Sequence, residues 1–477
     1  MKKNTRPPPG GEAAHGAAPA AHGAAPAAFS MAERLALCAI LSGAFMAVLD
    51  FFIVIVALPS IQTELGASPA TLGLIVAAYA AATAAGLVVG GRLGDRFGRK
   101  RVFGIGLACF TLASVGCGLA GSATTLVALR VLQGLAGALL QPQVLALLAA
   151  GFSGAKRARA FAAYAMAMGV AGVSAQIVGG LLIEADLGGL GWRSCFLINL
   201  PIGLAGLLLA ARAVTETPRR PDLPMDLPGS ALIGASLGLL VLALTQGREA
   251  GFPPWALAAL ASAAVCALAF VAHERRQARA GRLPLLPPAL LARADFRHGV
   301  LSVLLFYSTV ASLYFVLGLH LQQTLRLTPL TSGLAFGVLG AAFFVASMWG
   351  ARTAPHRRLA FMVGGALLMA CGHGAQLLAP LAGPSLAAML PGLLAQGAGI
   401  GLVMAPLMAT VLATAPAVDA GVAAGIAATM QQVGNAIGVS VISAVYALAS
   451  GYTLSLALLA ALSGVLALRL WRSGAGS

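Results

Sequence analysis

The sequence predicts an all-α protein that crosses a membrane many times. Hydrophobic residues make up 59% of its 477 residues, and charged residues only 9%. Apolar runs of about 20 residues, the length that a helix needs to cross a hydrocarbon layer of about 30 Å, recur almost to the C-terminus. Transmembrane barrels instead alternate apolar and polar residues over strands of about ten residues, a pattern that this sequence lacks. We therefore expect a polytopic helical membrane protein.

Fourteen apolar runs are long enough to span. They lie at about 36–58, 70–90, 102–121, 123–150, 160–184, 194–213, 229–247, 254–272, 298–321, 332–351, 359–382, 386–414, 420–448 and 452–470. When successive loops are assigned to alternate sides, 26 of the 30 Lys and Arg residues fall on the side of the termini and three on the other. Cytoplasmic loops carry such an excess of cations. Both termini are therefore predicted to be cytoplasmic, with the protein in the inner (cytoplasmic) membrane.

Two linkers divide the chain. Residues 214–228 hold four prolines, and residues 273–297 are basic. They bracket spans 7 and 8, so we expect a six-helix bundle at 31–213, two inserted helices with their linkers at 214–297, and a second six-helix bundle at 298–477. Transporters built from repeated halves place their substrate site between the halves, near the middle of the membrane.

The N-terminal stretch, residues 1–30, is rich in Ala, Pro, Gly and His, and Ala14–Ala20 is repeated as Ala21–Ala27. Such a composition cannot bury a core, so we expect a disordered tail. Met31 directly precedes an ordinary start of a membrane protein, and we hypothesise that it is the true initiator.

The segment between spans 2 and 3, residues 91–101, holds five cations and one acid in eleven residues. We call it the basic segment. Its composition predicts a short water-facing turn, and an ordinary positive-inside loop would satisfy that composition equally. Its glycines permit tight turning, and its acid can hold a neighbouring arginine. The residues of interest are Gly91, Asp95, Arg96, Gly98 and Arg99.

Two ionisable residues lie deep inside apolar spans. Each costs about 2.5–3.5 kcal/mol to insert, so each should have a reason to be there. At 1.5 Å per residue, Asp50 in span 1 is about 21 Å and Arg130 in span 4 about 18 Å from the cytoplasmic side. One interpretation is a buried ion pair that fixes packing. The other is a proton-coupling carboxylate with a cationic partner, which loads and releases a proton as its surroundings change.

Polar, aromatic and methionine side chains recur within other spans. Helix packing explains each of them separately, whereas together they would line a substrate cavity with an adaptable wall. The cavity candidates are Tyr79, Gln133, Gln141, Gln176, Tyr307, Met404, Gln431 and Asn435.

Several motifs resemble those of one transporter family. The order G-x-x-x-D-R-x-G-R-K in the basic segment is similar to the loop between helices 2 and 3 of the major facilitator superfamily. Leu49–Pro59 (LDFFIVIVALP) resembles the helix 1 motif of that superfamily's fourteen-helix drug:proton antiporters, and Leu129–Ala138 (LRVLQGLAGA) resembles their helix 4 motif. The remaining matches are to the entry of their helix 6 and to the bounds of their inserted helix 7, at 192–203, 226–229 and 244–247.

The resemblance implies roles for these residues. Arg130 would take part in proton coupling, and the basic segment would form a cytoplasmic latch between the halves. The antiporter motif of helix 5 would correspond to Gly179 and Gly180, although Ala175-Gln176 stands where that family has Gly-Pro. A missing proline removes a helix-bending device.

The expected function is export of hydrophobic small molecules, drugs or toxic compounds, in exchange for protons by alternating access. A proton-coupled transporter of one metabolite and a non-transporting membrane sensor are the alternatives. The expected partners are the small-molecule substrate, protons, the lipid bilayer and an accessory periplasmic adaptor. The net charge of +16 is assigned to topology, so no nucleic acid is expected. The sequence contains no motif of an ATP site, an enzyme, a cofactor or a metal centre, so none of these is expected.

Overall fold

The protein is a bundle of long α-helices, seen in a computed structural model. The structure describes residues 29–219, 226–247, 251–282, 284–285, 288–351, 357–383, 385–416, 420–448 and 450–475, and these residues contain no β-strand. Of the expected disordered tail, residues 1–28 lie outside the described residues. So does most of the proline-bearing part of the first linker, at 220–225.

The long helices follow one another with short connections. They are α1 Met31–Leu65, α2 Pro69–Phe97, α3 Arg99–Gly118, α4 Ala123–Gly151, α5 Gly154–Ala185, α6 Asn199–Ala213, α7 Leu227–Leu242, α8 Pro254–Arg279, α9 Ala294–Leu319, α10 Pro329–Ala351, α11 Arg358–Leu378, α12 Leu386–Ala413, α13 Ala420–Tyr446 and α14 Gly451–Ala475. Short helical turns precede α6 at 187–197 and α9 at 288–292. Others extend α7 to Gly247, α9 to Thr324 and α11 to Ala382.

Thirteen helices within the described residues are long and apolar enough to cross a membrane. The expected span at 420–448 forms α13, which has 27 residues but is not among the thirteen. Three amide side chains, those of Gln431, Gln432 and Asn435, lower its hydropathy. Fourteen spans therefore stay a prediction, while the class of helical multi-pass membrane protein is confirmed.

Helix starts follow from local sequence. Ser68 and Ser122 each stand before the first residue of a helix, and their hydroxyls accept hydrogen bonds from the amides of Thr71 (3.2 Å) and Thr125 (3.1 Å). Ser30 forms a reciprocal capping box with Glu33. These caps satisfy amides that have no partner within the helix, and so they define where α1, α2 and α4 begin.

Two groups of helices pack mainly among themselves. In the first group α4 packs against α2 and α3, and α1 packs against α5 and α6. In the second group α12 packs against α10 and α11, and α9 packs against α13 and α14. Helices α7 and α8 pack against each other, and α7 lies against α2. The domain bounds at 213/214 and 297/298 stay a prediction.

The two groups meet along α1–α9, α2–α13 and α5–α10. We call the end of the bundle with the α2–α3 turn at Gly98 the basic end, and the end with the α1–α2 turn at Gly66 the opposite end. Near the opposite end, Gln322 Nε2 donates to the Val56 carbonyl oxygen at 3.0 Å, and Gln323 Nε2 donates to Gln62 Oε1 at 2.6 Å. The two groups are therefore tied together at that end.

The basic segment differs from the expected turn. Helix α2 continues through Phe97 and α3 begins at Arg99, so the chain reverses at Gly98 alone, where φ is 100°. Helix α2 continues because Gly90 and Gly94 fit closely against α4, and a Cβ on Gly94 would lie 1.9 Å from Gln143 Oε1. Other helices also extend beyond their apolar runs, since caps and charged flanks outside the hydrocarbon layer carry no hydropathy signal.

Replacement of Gly90 by alanine should destabilise the bundle. Its Cβ would lie 2.1 Å from the backbone carbonyl oxygen of Ala138, an atom that cannot move without shifting α4. We expect a loss of roughly 1–3 kcal/mol in the free energy of unfolding, as for other overpacked cores. Gly104→Ala is the matched control, because no atom lies within 4 Å of its Cβ. Thermal unfolding in detergent measures both, and an equal effect of the two changes would contradict the expectation.

Candidate functional site: a buried ion pair and its surroundings

The carboxylate of Asp50 is fully buried and receives three donors. Arg130 Nη1 forms an ion pair with Asp50 Oδ2. Oδ1 accepts hydrogen bonds from Gln133 Nε2 at 2.7 Å and from Asn199 Nδ2 at 2.8 Å. The side chains of Asp50 and Arg130 are 0% exposed, so water does not screen their charges. A buried carboxylate is tolerable only when charge and lone pairs are satisfied in this way.

Arg130 is held on several sides. Its Nε donates to the Ile75 carbonyl oxygen at 3.2 Å, and Nη1 also donates to Gln133 Oε1 at 2.7 Å. The guanidinium lies over the Tyr79 ring, with Cζ 4.3 Å from the ring centroid, and 5.9 Å from the centroid of Phe196. Cation–π attraction is strongest in such a desolvated setting. The arginine therefore cannot change position without breaking contacts to α2, α4 and the turn before α6.

Among the described residues, the groups that bond to the ion pair come from the first helix group. Asp50 is on α1, Arg130 and Gln133 on α4, and Asn199 begins α6. Asn199 Nδ2 also donates to Ser114 Oγ of α3 at 2.9 Å. Two atoms in this cluster, Arg130 Nη2 and Asn199 Oδ1, are buried without a hydrogen-bond partner. These two atoms are therefore available for hydrogen bonds in another arrangement of the site.

The expected cavity residues make their contacts on several different helices. Tyr79 is buried beside Arg130, and its hydroxyl donates to the Ala47 carbonyl oxygen at 3.4 Å. Gln176 is buried in α5 and donates to the Phe52 carbonyl oxygen at 2.6 Å. Asn435 Nδ2 donates to Gln432 Oε1 within α13 at 3.1 Å. Tyr307 is buried in α9, whereas Gln141, Met404 and Gln431 are half-buried.

Aromatic rings cross the boundary between the groups close to the ion pair. Phe52 of α1 contacts Tyr314 of α9, with ring centroids 4.8 Å apart. Tyr314 stacks on Phe336 of α10 at 5.1 Å. Phe52 lies two residues from Asp50, so α1 carries the ion pair on one side and an intergroup contact on the other.

The helix 5 glycines are sites of close approach. A Cβ on Gly179 would lie 2.6 Å from Val56 Cγ1 of α1, and one on Gly180 would lie 2.4 Å from the Pro329 carbonyl oxygen of α10. The pair therefore brings α5 against both helix groups at once, which only residues without a side chain allow.

The basic segment is tied to the linker after α6. Asp95 and Arg99 form an ion pair one turn apart, and the Arg96 guanidinium lies over the Phe97 ring, 5.5 Å from its centroid. Glu216 caps α3: its Oε1 accepts from the Lys100 amide at 2.9 Å and its Oε2 from the Arg101 amide at 3.1 Å. A carboxylate there satisfies unpaired amides and opposes the positive end of the helix dipole.

Three residues that bind Asp50 or the helices next to Gly98 were not predicted as site residues: Asn199, Gln143 and Glu216. Asn199 lies within residues 192–203, the stretch that resembles the entry of the family's helix 6, so the motif could have identified it. Gln143 is fully buried, and its Nε2 donates to the Gly90 carbonyl oxygen at 2.7 Å. Glu216 contacts residues about 115 positions away, and no local sequence pattern predicts such a contact.

Comparison with known proteins places these features in context. A sequence profile of the Major Facilitator Superfamily matches residues 40–439. The probable actinorhodin transporter of Streptomyces coelicolor is 37% identical over 422 residues, covering 86% of this chain and 72% of that protein. The cephamycin export protein of Amycolatopsis lactamdurans is 36% identical over 415 residues, covering 85% of this chain and 84% of that protein.

The fold is also found among solved structures. A bacterial homologue of the human lysosomal transporter Spinster, in an inward-facing and unoccupied conformation, superposes with a TM-score of 0.66. The two chains are 16% identical, and the match covers 94% of this chain and 99% of the other. At that identity the likeness concerns the fold alone.

Replacement of Glu216 by alanine should loosen the start of α3. Loss of a helix cap costs about 0.5–2 kcal/mol, so the amides of Lys100 and Arg101 should exchange with deuterium faster. Glu216→Gln keeps an acceptor but loses the charge, and should give an intermediate rate. Amide exchange followed by mass spectrometry measures this, and unchanged protection in both variants would contradict the capping role.

Proposed function

The chain belongs to the major facilitator superfamily, and from this premise we propose that it exports hydrophobic small molecules in exchange for protons by alternating access. The transporter itself is not an enzyme, and it is embedded in a membrane by many helices. The proposed parts are the direction of transport, the proton coupling and the class of substrate. The burial of Asp50 against Arg130 is the observation that carries the proposal.

Protonation of Asp50 would change the charge balance of the whole cluster. With Asp50 ionised, the pair is neutral and each carboxylate oxygen has a donor. With Asp50 protonated, the Arg130 charge would have no counter-charge in a buried site, which is costly. The cluster would then favour a rearranged state in which Arg130 meets water or substrate. A proton can therefore drive a conformational change here only by breaking this ion pair.

Helix α1 offers a route from the ion pair to the boundary between the groups. Ile55 packs against Gly318 of α9, where a Cβ would lie 2.8 Å from Ile55 Cγ2. Val56 accepts the hydrogen bond from Gln322, also next to α9. Both residues lie within two turns of Asp50. Rotation or tilting of α1 would thus alter the ion pair and the intergroup contacts together, which is the coupling that alternating access requires.

A second candidate is export of one particular metabolite. The relatives from Streptomyces coelicolor and Amycolatopsis lactamdurans are each named for transport of one compound, actinorhodin and cephamycin. By analogy, this chain would carry one compound. Because the named relatives are transporters, the non-transporting sensor is not proposed further.

The Asp50→Asn variant should abolish proton-driven export. In an efflux-deficient host challenged with a panel of hydrophobic toxic compounds, wild type should lower sensitivity and Asp50→Asn should not. Protection from many unrelated compounds favours broad export, and protection from one favours the single-product carrier. Asp186→Asn is the matched control, because Asp186 is exposed at the opposite end. Equal protection by wild type and Asp50→Asn would refute proton coupling through Asp50.

A double variant separates coupling from packing. Asp50→Asn alone leaves Arg130 unpaired, which should cost about 3–5 kcal/mol of stability. Asp50→Asn with Arg130→Gln removes both charges and should recover much of that stability without recovering transport. Thermal unfolding and substrate-dependent proton flux in proteoliposomes measure the two effects. Recovery of flux with stability would mean that the pair is purely structural.

Locking the opposite end should arrest transport. Gln62→Cys and Gln323→Cys, in a variant without the native cysteines, place thiols where α1 and α9 are hydrogen-bonded. A short bifunctional thiol reagent should stop transport, and cleavage of the link should restore it. Glu33→Cys with Lys156→Cys is the control, since that pair joins α1 and α5 within one group. Continued transport by the protein that is cross-linked between positions 62 and 323 would exclude opening at the opposite end.

A further inference from the structure

The inserted helices α7 and α8 bring three potential metal ligands together at the basic end. Asp226 precedes α7, and His273 and Glu274 lie in the last two turns of α8. One ligand atom from each lies within 4.8 Å of the other two. His273 Nε2 is 2.7 Å from Asp226 Oδ1. The start of α7 and the end of α8 therefore converge on one polar point.

We propose that Asp226, His273 and Glu274 form a binding site for a divalent transition-metal ion, with Zn²⁺ as the first ion to test. Two carboxylate oxygens and one imidazole nitrogen form a mixed donor set that suits Zn²⁺ and its neighbours, and less so Mg²⁺ or Ca²⁺. Three protein ligands leave a fourth position for water. The site lies away from the Asp50–Arg130 pair and is independent of the transport proposal.

Burial distinguishes this cluster from ordinary surface acids. Asp226 and Glu274 are each 4% exposed, and His273 is half-buried. Asp226 Oδ1 accepts from the Gly229 amide at 2.9 Å and faces His273. No donor group reaches the buried Asp226 Oδ2, and the Asp226 and Glu274 carboxyl groups lie close enough to interact directly. Two buried carboxyl groups side by side are costly unless a proton or another cation lies between them. A metal ion held between the three side chains would satisfy both acids.

The charge of the cluster also favours a cation. Asp226 and Glu274 both interact electrostatically with the guanidinium of Arg92 on α2. Metal ions bind carboxylates in the ionised form, so a metal ion would compete with protons for this pair of acids.

An ion at this site would join the two inserted helices to each other at the basic end. It would fix the start of α7 to the end of α8, close to Arg92 of the basic segment. Arg92 Nη2 donates to the Pro284 carbonyl oxygen of the following linker at 3.1 Å. Metal occupancy would therefore stiffen the inserted hairpin next to this contact.

Titration of Zn²⁺ into the full-length, tag-free protein in detergent tests the proposal. His15→Gln and His22→Gln form the parent background, so that the tail histidines do not contribute. We expect one Zn²⁺ per chain by elemental analysis, and a rise in the unfolding temperature on adding Zn²⁺. Absence of stoichiometric binding by the parent would overturn the proposal, and would leave the Asp226–His273 contact as a simple hydrogen bond.

Ligand variants locate the site. Asp226→Asn and His273→Gln should each weaken Zn²⁺ binding by more than about 100-fold, since even outer-shell changes cost about 10–100-fold. His273→Cys should retain binding, because a thiolate is a good zinc ligand. Glu184→Gln and the exposed His298→Gln are the controls and should bind as the parent does. Equal losses in controls and ligand variants, or no loss in Asp226→Asn, would overturn the assignment.

Each variant needs a check that it is folded. Monodisperse elution and a cooperative unfolding transition without Zn²⁺ provide it. The temperature shift caused by Zn²⁺ gives a second measurement that does not depend on transport. It should be present in the parent and in His273→Cys, and absent in Asp226→Asn. A shift that persists in Asp226→Asn would contradict the site even if the titrations were difficult to interpret.

Discussion

The first helix group depends on one constraint: a carboxylate and a guanidinium buried in an apolar bundle must satisfy each other. Asp50 and Arg130 do so by an ion pair, and Gln133 and Asn199 supply the further hydrogen bonds that the carboxylate needs. These partners of Asp50 belong to α4 and to the start of α6. Meeting this electrostatic demand therefore fixes α1 against α4 and the start of α6, and the Ile75 carbonyl oxygen adds α2.

Because of this constraint, α1 connects the charges of the ion pair with the packing between the two helix groups. One side of α1 carries Asp50, and the other carries Phe52, Ile55 and Val56 against α9. Packed helices do not deform continuously, because their interiors are as dense as crystals of small molecules. A change in the ion pair would therefore be transmitted as a movement of the whole helix. This relation supports the proposed transport cycle more directly than any single cavity residue does.

At the basic end, charged and polar side chains hold the helices and linkers together. Glu216 binds the first amides of α3, Gln143 holds the backbone of α2, and Arg92 reaches Pro284. The helix ends on either side of Gly98 thus contact α4, the α6 linker and the second linker. The Asp226–His273–Glu274 cluster lies beside these contacts, so an ion there would act on the same region.

The sequence by itself determined the class, the family, the approximate spans and the two buried charges at one depth, because hydropathy and short motifs are local properties. Only the tertiary structure decided which side chains complete the site. Asn199 reaches Asp50 across 149 positions, and Glu216 reaches Lys100 across 116. The continuation of α2 to Phe97 likewise depends on its fit against α4. Such contacts depend on how helices are placed side by side, and that placement follows from the sum of all packing rather than from any one segment.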